Sequence, residues 1–295
     1  MVEDRKPNET CRIKVDGGEV AVYSFGSGDE VLYCLHGGPG LGCDYVRDSH
    51  SVLADAGYRV VAYDQLGCGA SDRPKDTSLY NVERYVEECE TIRAELGLGK
   101  VHLLGQSWGT WLGTAYCLKY QDNVKSYTLA NGSGDIPHTF AEMGRLRRAL
   151  GAQTIEMMQR HEAQGTIEHP EYLAAVSILY HRHLCRCDEW PAALNRSLEA
   201  INMDVYGTMW GPNEFCCVGT LKDVTWLAEM HKITVPCLVI NGMHDELTPE
   251  CGMKMHRELP NSEITIFKNS SHTPFFEEAD AYFARLKSFL DAHRA

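Results

Sequence analysis

The chain has 295 residues, 44% of them hydrophobic and 23% charged, which is the balance of a folded globular protein with one large domain. Its formal net charge of −13 excludes the basic footprint of a nucleic-acid-binding protein and would be repelled by an anionic membrane surface. The apolar runs, such as residues 31–35, are too short to cross a bilayer. The polar, acidic start lacks the pattern of a secretory signal, so we expect a cytoplasmic protein.

Strand and helix patterns alternate through the first half of the chain. Short apolar runs flanked by turn residues predict strands, and stretches with apolar residues at helical spacing predict helices. The turn Asp16-Gly17-Gly18 predicts a hairpin between the first two strands. The predicted strands cover residues 12–15, 20–25, 31–35, 58–64, 100–105 and 124–130, and the predicted helices cover 45–56, 81–98 and 107–120. This alternation predicts a mostly parallel sheet flanked by helices.

After the sixth strand the pattern becomes helical. Four helices are predicted, over residues 139–150, 154–164, 170–184 and 192–201, before strand 235–240, helix 250–258, strand 263–267 and helix 275–292. An all-helical block inserted into a parallel α/β domain is typical of a lid over the site. We therefore predict an α/β core made of residues 1–132 and 228–295, with residues 133–227 as a helical cap.

The segment Gly105-Gln-Ser-Trp-Gly109 matches G-x-S-x-G and lies between a predicted strand and a predicted helix, which is the context this motif requires. The turn is sharp and strained, so its two glycines must lack side chains. It exposes the Ser107 hydroxyl and places the Trp108 N–H at a helix N-terminus. We predict Ser107 as the nucleophile and Trp108 as an oxyanion donor; the alternative is a glycine-rich turn with an inert serine.

A second glycine-rich segment, His36-Gly-Gly-Pro-Gly40, directly follows the third predicted strand. Loops at the carboxyl ends of parallel strands form the site edge of such sheets. Pro39 has no N–H, so we assign the second oxyanion donor to Gly38. The alternative is a plain tight turn. His36 is predicted to order this loop and not to act as a base.

The acid and the base are expected after the nucleophile, in the order Ser, Asp or Glu, His. Asp245 lies just past strand 235–240, and His272 lies just past strand 263–267. Both loops should leave the same sheet edge as Ser107. We predict that His272 takes the Ser107 proton and returns it to the leaving amine, while Asp245 holds the imidazole tautomer and stabilises the imidazolium.

These segments, together with Asp64-Gln-Leu-Gly-Cys-Gly-Ala-Ser-Asp-Arg-Pro74 and Gly211-Pro-Asn-Glu-Phe215, resemble the proline iminopeptidase (prolyl aminopeptidase) family. The likeness is greatest to tricorn-interacting aminopeptidases and related L-amino-acid amidases, and it spans about residues 15–290. It implies an α/β-hydrolase fold: a mostly parallel eight-stranded sheet flanked by helices, with an all-helical cap inserted after the sixth strand. The chain departs at Gln106 and Thr110, where many members carry Gly and Ser. Strict proline preference is therefore a weaker expectation.

The resemblance implies a serine aminopeptidase that releases an N-terminal proline, or another small or apolar residue, from short peptides through an acyl-enzyme. By matching motif it implies that Glu214 and Glu246 hold the free α-amino group of the substrate; the alternative for each is a solvent-facing acid. It implies no metal or organic cofactor. An L-amino-acid amidase, or proline amide hydrolase, is the alternative function. An esterase would leave Glu214 and Glu246 unexplained, and the intact triad disfavours an inactive scaffold.

Aromatic residues near these motifs are candidates for an apolar wall, because aromatic surfaces suit a pyrrolidine ring. Phe215 and Trp108 are the first choices. Further candidates are Tyr206, Trp210, Phe275 and Phe276.

The chain has twelve cysteines and no Cys-x-x-Cys pair, so we expect reduced thiols. The stretch His181-Arg-His-Leu-Cys-Arg-Cys187 resembles part of a metal site. A complete site needs more ligands at matching spacing, so no metal is expected there.

Overall fold

The computed structural model describes residues 5–294 and contains an eight-stranded, mostly parallel sheet. The strand order is β1-β2-β4-β3-β5-β6-β7-β8. The strands are β1 (Glu9–Val15), β2 (Gly18–Phe25), β3 (Glu30–Leu35), β4 (Tyr58–Tyr63), β5 (Val101–Gln106), β6 (Val124–Ala130), β7 (Cys237–Gly242) and β8 (Ser262–Phe267). Strands β1 and β2 form the predicted hairpin, β2 pairs antiparallel with β4, and the other neighbours are parallel.

The central strands are buried on both faces. All six residues of β5 and all six of β7 are buried, as expected for parallel strands covered by helices. The helices of this part are α1 (Asp44–His50), α2 (Val82–Glu95), α3 (Trp108–Tyr120), α9 (Pro249–Glu258), α10 (Pro274–Glu277) and α11 (Ala279–Ala292). The parallel strands end at one common edge, and their following loops meet there. The predicted fold class is confirmed.

Two predicted helices of this part are interrupted in the structure. The segment predicted as 45–56 ends its α-helix at His50 and continues as a 3₁₀-helix over Ser51–Ala56. The segment predicted as 275–292 is divided at Glu278, whose φ of −132° and ψ of 49° lie outside the helical region. The Glu278 carboxylate accepts hydrogen bonds from the Asn269 N–H and the Ser270 hydroxyl. This break therefore ties the last helix to the loop after β8.

Between β6 and β7 the chain is helical. It forms α4 (Ile136–Arg148), α5 (Ala152–Gln164), α6 (Pro170–His183), α7 (Ala192–Glu199) and α8 (Met203–Met209). The short α8 is absent from the sequence prediction, because it has seven residues and contains Gly207. The Asn202 side chain caps it by accepting from the Asp204 N–H. These helices support the proposal that residues 133–227 form a cap over a core of residues 1–132 and 228–295.

The helical block is fastened to the glycine-rich loops. The Asn202 N–H donates to the Gly40 carbonyl at 2.9 Å, and its side-chain amide donates to the Gly67 carbonyl at 2.8 Å. A Cβ at Gly40 would stand 2.8 Å from the Asn202 carbonyl oxygen, so the close approach requires glycine there. Over residues 5–294, none of the helices combines the length and the apolar character needed to span a bilayer.

Candidate active site

Ser107 lies on the turn between β5 and α3 with φ of 55° and ψ of −123°, a conformation that non-glycine residues rarely adopt. The Ser107 N–H donates to the Ala130 carbonyl at 3.0 Å. A Cβ on Gly105 would stand 2.1 Å from the Gly109 oxygen, and a Cβ on Gly109 would stand 2.2 Å from the Leu35 oxygen. The two motif glycines are therefore required by backbone contact, as predicted.

The loop after β3 lies against this turn. A Cβ on Gly37 would stand 2.8 Å from the Ser107 Cβ, and the Gly37 N–H already donates to the Tyr45 hydroxyl at 2.7 Å. Gly38 has φ of +116° and lines the same cavity as Ser107. Trp108 begins α3, so its N–H belongs to the first turn, where backbone donors have no partner within the helix. This arrangement supports Gly38 and Trp108 as the oxyanion donors.

His36 is buried inside this loop and fastens it. Its Nδ1 lies 2.8 Å from the Gly37 carbonyl, and its Nε2 accepts from the Gln65 N–H at 3.1 Å. The Gln65 side chain donates back to the His36 carbonyl at 3.1 Å. Burial lowers the pKa of His36, which favours the neutral ring that this bonding pattern needs. These contacts agree with a loop-ordering role.

Asp64 accounts for part of the motif at residues 64–74. Its carboxylate accepts from the Cys43 N–H at 2.7 Å, the Ala70 N–H at 2.9 Å and the Tyr23 hydroxyl at 3.1 Å. A Cβ on Gly69 would stand 2.2 Å from the Asp64 Cγ, so the loop can wrap this carboxylate only with glycine there. The motif braces the chain that follows the glycine-rich loop.

His272 and Asp245 meet at the carboxyl edge of the sheet. The His272 Nδ1 lies 2.7 Å from the Asp245 Oδ1, and both side chains are buried. Asp245 Oδ1 also accepts from the Leu247 N–H at 2.9 Å, and Oδ2 accepts from the Asn131 amide at 2.6 Å. The carboxylate is therefore fixed on both oxygens. Asn131 was missed from the sequence; the available signal was its position directly after strand β6.

The electrostatic surroundings of His272 favour its protonated form. Burial alone lowers its pKa, but the nearby carboxylates, Asp245 foremost and then Glu246 and Glu214, together raise it to about 9. The His272 Nε2 lies 3.8 Å from the Glu246 Oε1. The imidazole of His272 therefore exchanges its proton beside the carboxylates of Asp245, Glu246 and Glu214.

A cavity of about 320 Å³ joins the predicted site residues Ser107, His272, Gly38, Glu214 and Glu246. Most of its remaining wall is apolar or tyrosine. These residues include Leu41, Tyr45, Tyr172, Leu173, Val176, Tyr180, Leu184, Leu194, Leu198, Ile201, Met203, Tyr206 and Pro212. Because many of them come from α6, α7 and α8, the helical block closes the cavity over the sheet edge.

Two carboxylates share this apolar cavity. The Glu214 Oε2 accepts from the Tyr206 hydroxyl at 2.5 Å, and burial raises the Glu214 pKa. Burial, and next the charge of Glu214, raise the pKa of Glu246 well above its ordinary value. Tyr180 stands in the field of both acids, which add to burial in raising its pKa. A cation bound by Glu214 and Glu246 would offset the repulsion between their charges.

The aromatic wall predicted from the sequence needs correction. Trp108 is buried against Tyr85 and Trp111, and its indole N–H donates to the Gln65 side chain at 2.8 Å. Phe215 packs in the helical block in one cluster with Met158 and Tyr172, behind the cavity wall; Tyr172 lines the cavity and Phe215 does not. Their backbones lie next to the site, but their side chains point into hydrophobic clusters. Of the further candidates, Tyr206 lines the cavity, whereas Trp210, Phe275 and Phe276 do not.

All twelve cysteines carry free thiols, and the described residues contain one group of side chains with metal-ligand character. His161, His169 and Glu171 place potential ligand atoms within 4.8 Å of one another in the helical block. However, the His169 Nδ1 caps α6 by accepting from the Glu171 N–H at 3.3 Å. A metal on His169 Nε2 would put a proton on Nδ1, facing that donor. The tautomer needed for the cap therefore opposes metal binding.

Known proteins share this architecture and sequence. The family model described as alpha/beta hydrolase fold matches residues 30–169. A proline iminopeptidase from Saccharolobus solfataricus is 40% identical over 262 residues, covering 88% of this chain and 84% of the relative. The crystal structure of VinJ has a TM-score of 0.93 and 32% identity, covering 98% of this chain and 100% of that one.

A solved proline iminopeptidase from Mycobacterium smegmatis has a TM-score of 0.90 and 32% identity, covering 97% of this chain and 98% of that one. Sequence relatives and solved structures therefore agree along nearly the whole length. The chain belongs to the proline iminopeptidase family of α/β-hydrolases.

Proposed function

We propose that this protein is a serine aminopeptidase that removes an N-terminal proline, or another small or apolar residue, from short peptides. One observation carries the proposal: two carboxylates, Glu214 and Glu246, both partly buried, line the same cavity as Ser107 and His272. The groups that cleave an acyl bond and the charges that bind a free amine therefore share one cavity. A cytoplasmic location remains a prediction of the sequence.

In the acylation step, the Ser107 Oγ attacks the scissile carbonyl while His272 Nε2 takes its proton. The N–H groups of Gly38 and Trp108 stabilise the oxyanion, and the imidazolium gives its proton to the leaving amine. Asp245 accepts from the Nδ1–H throughout, at 2.7 Å, and so fixes the tautomer and the ring orientation. Water then repeats the sequence on the acyl-enzyme and releases the amino acid.

Recognition of the free N-terminus follows from the two acids. An N-terminal proline carries a secondary ammonium with two N–H donors, and the cavity offers two carboxylates to receive them. Charge-assisted hydrogen bonds of this kind are about twice as strong as neutral ones. A peptide bound through its interior would leave Glu214 and Glu246 buried without a cation, at a large desolvation cost. The cavity should therefore bind a free N-terminus more tightly than the interior of a peptide, as an exopeptidase does.

The test compares prolyl, alanyl and leucyl arylamides with proline amide and with an N-acetylated prolyl arylamide. An aminopeptidase hydrolyses the prolyl arylamide and short prolyl peptides, and it loses at least roughly 100-fold in kcat/KM on the blocked substrate. Turnover of the blocked substrate at a similar rate would contradict the proposal. Preference for proline amide over prolyl peptides would favour the amidase alternative, which uses the same residues with a smaller leaving group.

A further inference from the structure

Gln106 stands immediately before Ser107 at the end of β5, and its buried side chain lines the cavity. Both ends of its amide are hydrogen-bonded. Its Oε1 accepts from the Tyr45 hydroxyl, and its Nε2 donates to the backbone carbonyl of His272 at 3.2 Å. One side chain thus connects helix α1 with the loop that carries the predicted base.

Tyr45 extends this connection to the glycine-rich loop, because its oxygen accepts from the Gly37 N–H at 2.7 Å. The Tyr45 hydrogen is then directed to Gln106 Oε1, and only the amide nitrogen is left to donate to His272. The hydrogen bonds therefore run in one direction, from Gly37 through Tyr45 and Gln106 to His272. All four residues are buried, so breaking any link leaves a desolvated polar group.

The sheet itself does not fix the distance between the two loops. The glycine-rich loop follows β3, which is a neighbour of β5, whereas His272 follows β8, which β6 and β7 separate from β5. Gln106 crosses this gap next to the nucleophile. We propose that Gln106 is a positioning residue, which keeps the loop of the oxyanion donor Gly38 and the backbone of His272 in register around Ser107; this rests on the proposed function of the same site.

Substitutions can separate this role from simple packing. Gln106→Ala removes both links, and Tyr45→Phe removes the link to Gly37. Gln106→Glu keeps the shape of the side chain. When ionised, the new carboxylate accepts from Tyr45 but cannot donate to the His272 carbonyl; when protonated, it restores the donor and acceptor pattern of the amide. Protonation should therefore rescue the Q106E variant.

The experiment measures kcat and KM of these variants on a prolyl arylamide and on p-nitrophenyl acetate, an ester without an amine. For Q106A we expect kcat to fall roughly 10- to 100-fold with KM within about twofold, because small misplacements affect the reacting geometry and not ground-state binding. The Q106A/Y45F double variant should be no slower than the slower single variant, since both break one chain. The kcat ratio of Q106E to the unsubstituted enzyme should rise as pH is lowered, while the Q106A ratio stays flat.

Gln121 supplies a matched control at the opposite edge of the sheet. Its amide also bridges two groups, donating to the Lys232 carbonyl at 2.9 Å and accepting from the Thr234 N–H at 3.0 Å. Gln121→Ala should leave kcat unchanged on both substrates. If thermal unfolding shows that Q106A does not fold, the pH dependence of the kcat ratio of Q106E to the unsubstituted enzyme tests the inference by itself.

The inference would be overturned if Q106A had an unchanged kcat or raised KM alone. It would also be overturned if the kcat losses of the two single variants multiplied in the double variant, or if the kcat ratio of Q106E to the unsubstituted enzyme did not change with pH. Failure of the proposed function gives a different result. An enzyme that hydrolyses the ester but not the prolyl arylamide would refute the aminopeptidase proposal. The kcat values of the variants on p-nitrophenyl acetate would then still test the role of Gln106. An enzyme that hydrolyses neither would refute both.

Discussion

The Nε2 atom of His272 lies 3.8 Å from the Oε1 atom of Glu246, so the proposed base and a carboxylate proposed to bind the substrate amine are neighbours. Burial opposes protonation of His272, but Asp245, Glu246 and Glu214 together raise its pKa to about 9. The carboxylates around His272 therefore favour the protonated imidazole in the free enzyme. A substrate ammonium between the glutamates opposes their charge and lowers this pKa, which returns the base to its active form.

Replacing Glu246 with Gln removes one of the anions that raise the pKa of His272. The acid limb of the kcat/KM profile for p-nitrophenyl acetate should therefore move to lower pH, and ester hydrolysis near pH 7 should increase. On a prolyl arylamide kcat/KM should fall, because a partner of the ammonium is lost. The measurement is a pH profile with each substrate.

Glu250→Gln is the control for this change. Glu250 lies on α9 and pairs with Arg257 at 3.1 Å, and its side chain is partly exposed. Both profiles should be unaffected by its substitution. An acid limb that stays in place in E246Q would show that Glu246 does not act on the base.

Glu214 is expected to act chiefly on amine binding, because its charge raises the pKa of His272 less than those of Asp245 and Glu246 do. Glu214→Gln should raise KM for a prolyl arylamide roughly 10- to 100-fold, since a hydrogen bond to a charged group contributes about 1.5–3 kcal/mol. Hydrolysis of p-nitrophenyl acetate should change by less than about threefold. Tyr206→Phe, which removes the hydroxyl that donates to Glu214 at 2.5 Å, should give a smaller rise in KM. Equal losses on the amide and the ester would contradict this role.

Local motifs identified the residues that directly follow predicted strands. Ser107, Asp245 and His272 could be located because parallel strands end at one edge, and the structure does bring Asp245 and His272 into a hydrogen bond. The sequence predicts that the side chains of Trp108 and Phe215 form a wall of the cavity, and neither side chain lines it. Adjacency along the chain fixed where their backbones lie, but packing of distant segments decides which way a large side chain turns.

The supporting residues depend on contacts that no local pattern records. The link from Tyr45 to Gln106 joins positions 61 residues apart, and the bond from Asn131 to Asp245 joins positions 114 apart. Tyr180 and Tyr206 reach the cavity from two helices of the helical block, of which α8 was not predicted at all. A single sequence reveals the ends of strands more readily than these three-dimensional neighbours.

Asn131 should contribute to catalysis through Asp245. Its amide donates to Asp245 Oδ2 at 2.6 Å, and its φ of 53° is a conformation that glycine adopts freely and alanine only at an energetic cost. Asn131→Gly removes the amide without adding backbone strain and should lower kcat roughly tenfold, because the carboxylate loses a fixing partner. Asn131→Ala should show the same kcat and an additional loss of about 1 kcal/mol in the free energy of unfolding. Steady-state kinetics with urea unfolding tests both. Unchanged kcat in the glycine variant would confine Asn131 to a structural role.

The amine-binding acids should cost the folded enzyme stability at high pH. Burial, and next the charge of Glu214, raise the pKa of Glu246 well above its ordinary value. A carboxyl with a raised folded-state pKa stabilises the fold fully below its unfolded pKa, and this contribution is lost as the pH rises through the folded value. Glutamine does not ionise, so E246Q should increase the free energy of unfolding by at least roughly 1 kcal/mol at pH 8, with a smaller gain at pH 5.

Urea unfolding at the two pH values measures this difference, with E250Q as the control that should show no gain at either. His272 has the opposite charge, and its attraction to Glu246 across 3.8 Å favours the unsubstituted enzyme. The sign of the change in the free energy of unfolding therefore shows whether the burial of the Glu246 carboxylate or its attraction to the imidazolium is larger. Stabilisation that grows with pH means that burying the carboxylate outweighs its attraction to the imidazolium, as its raised pKa requires. Destabilisation of E246Q at pH 8 would mean that the ion pair dominates, and the raised pKa of Glu246 would be refuted.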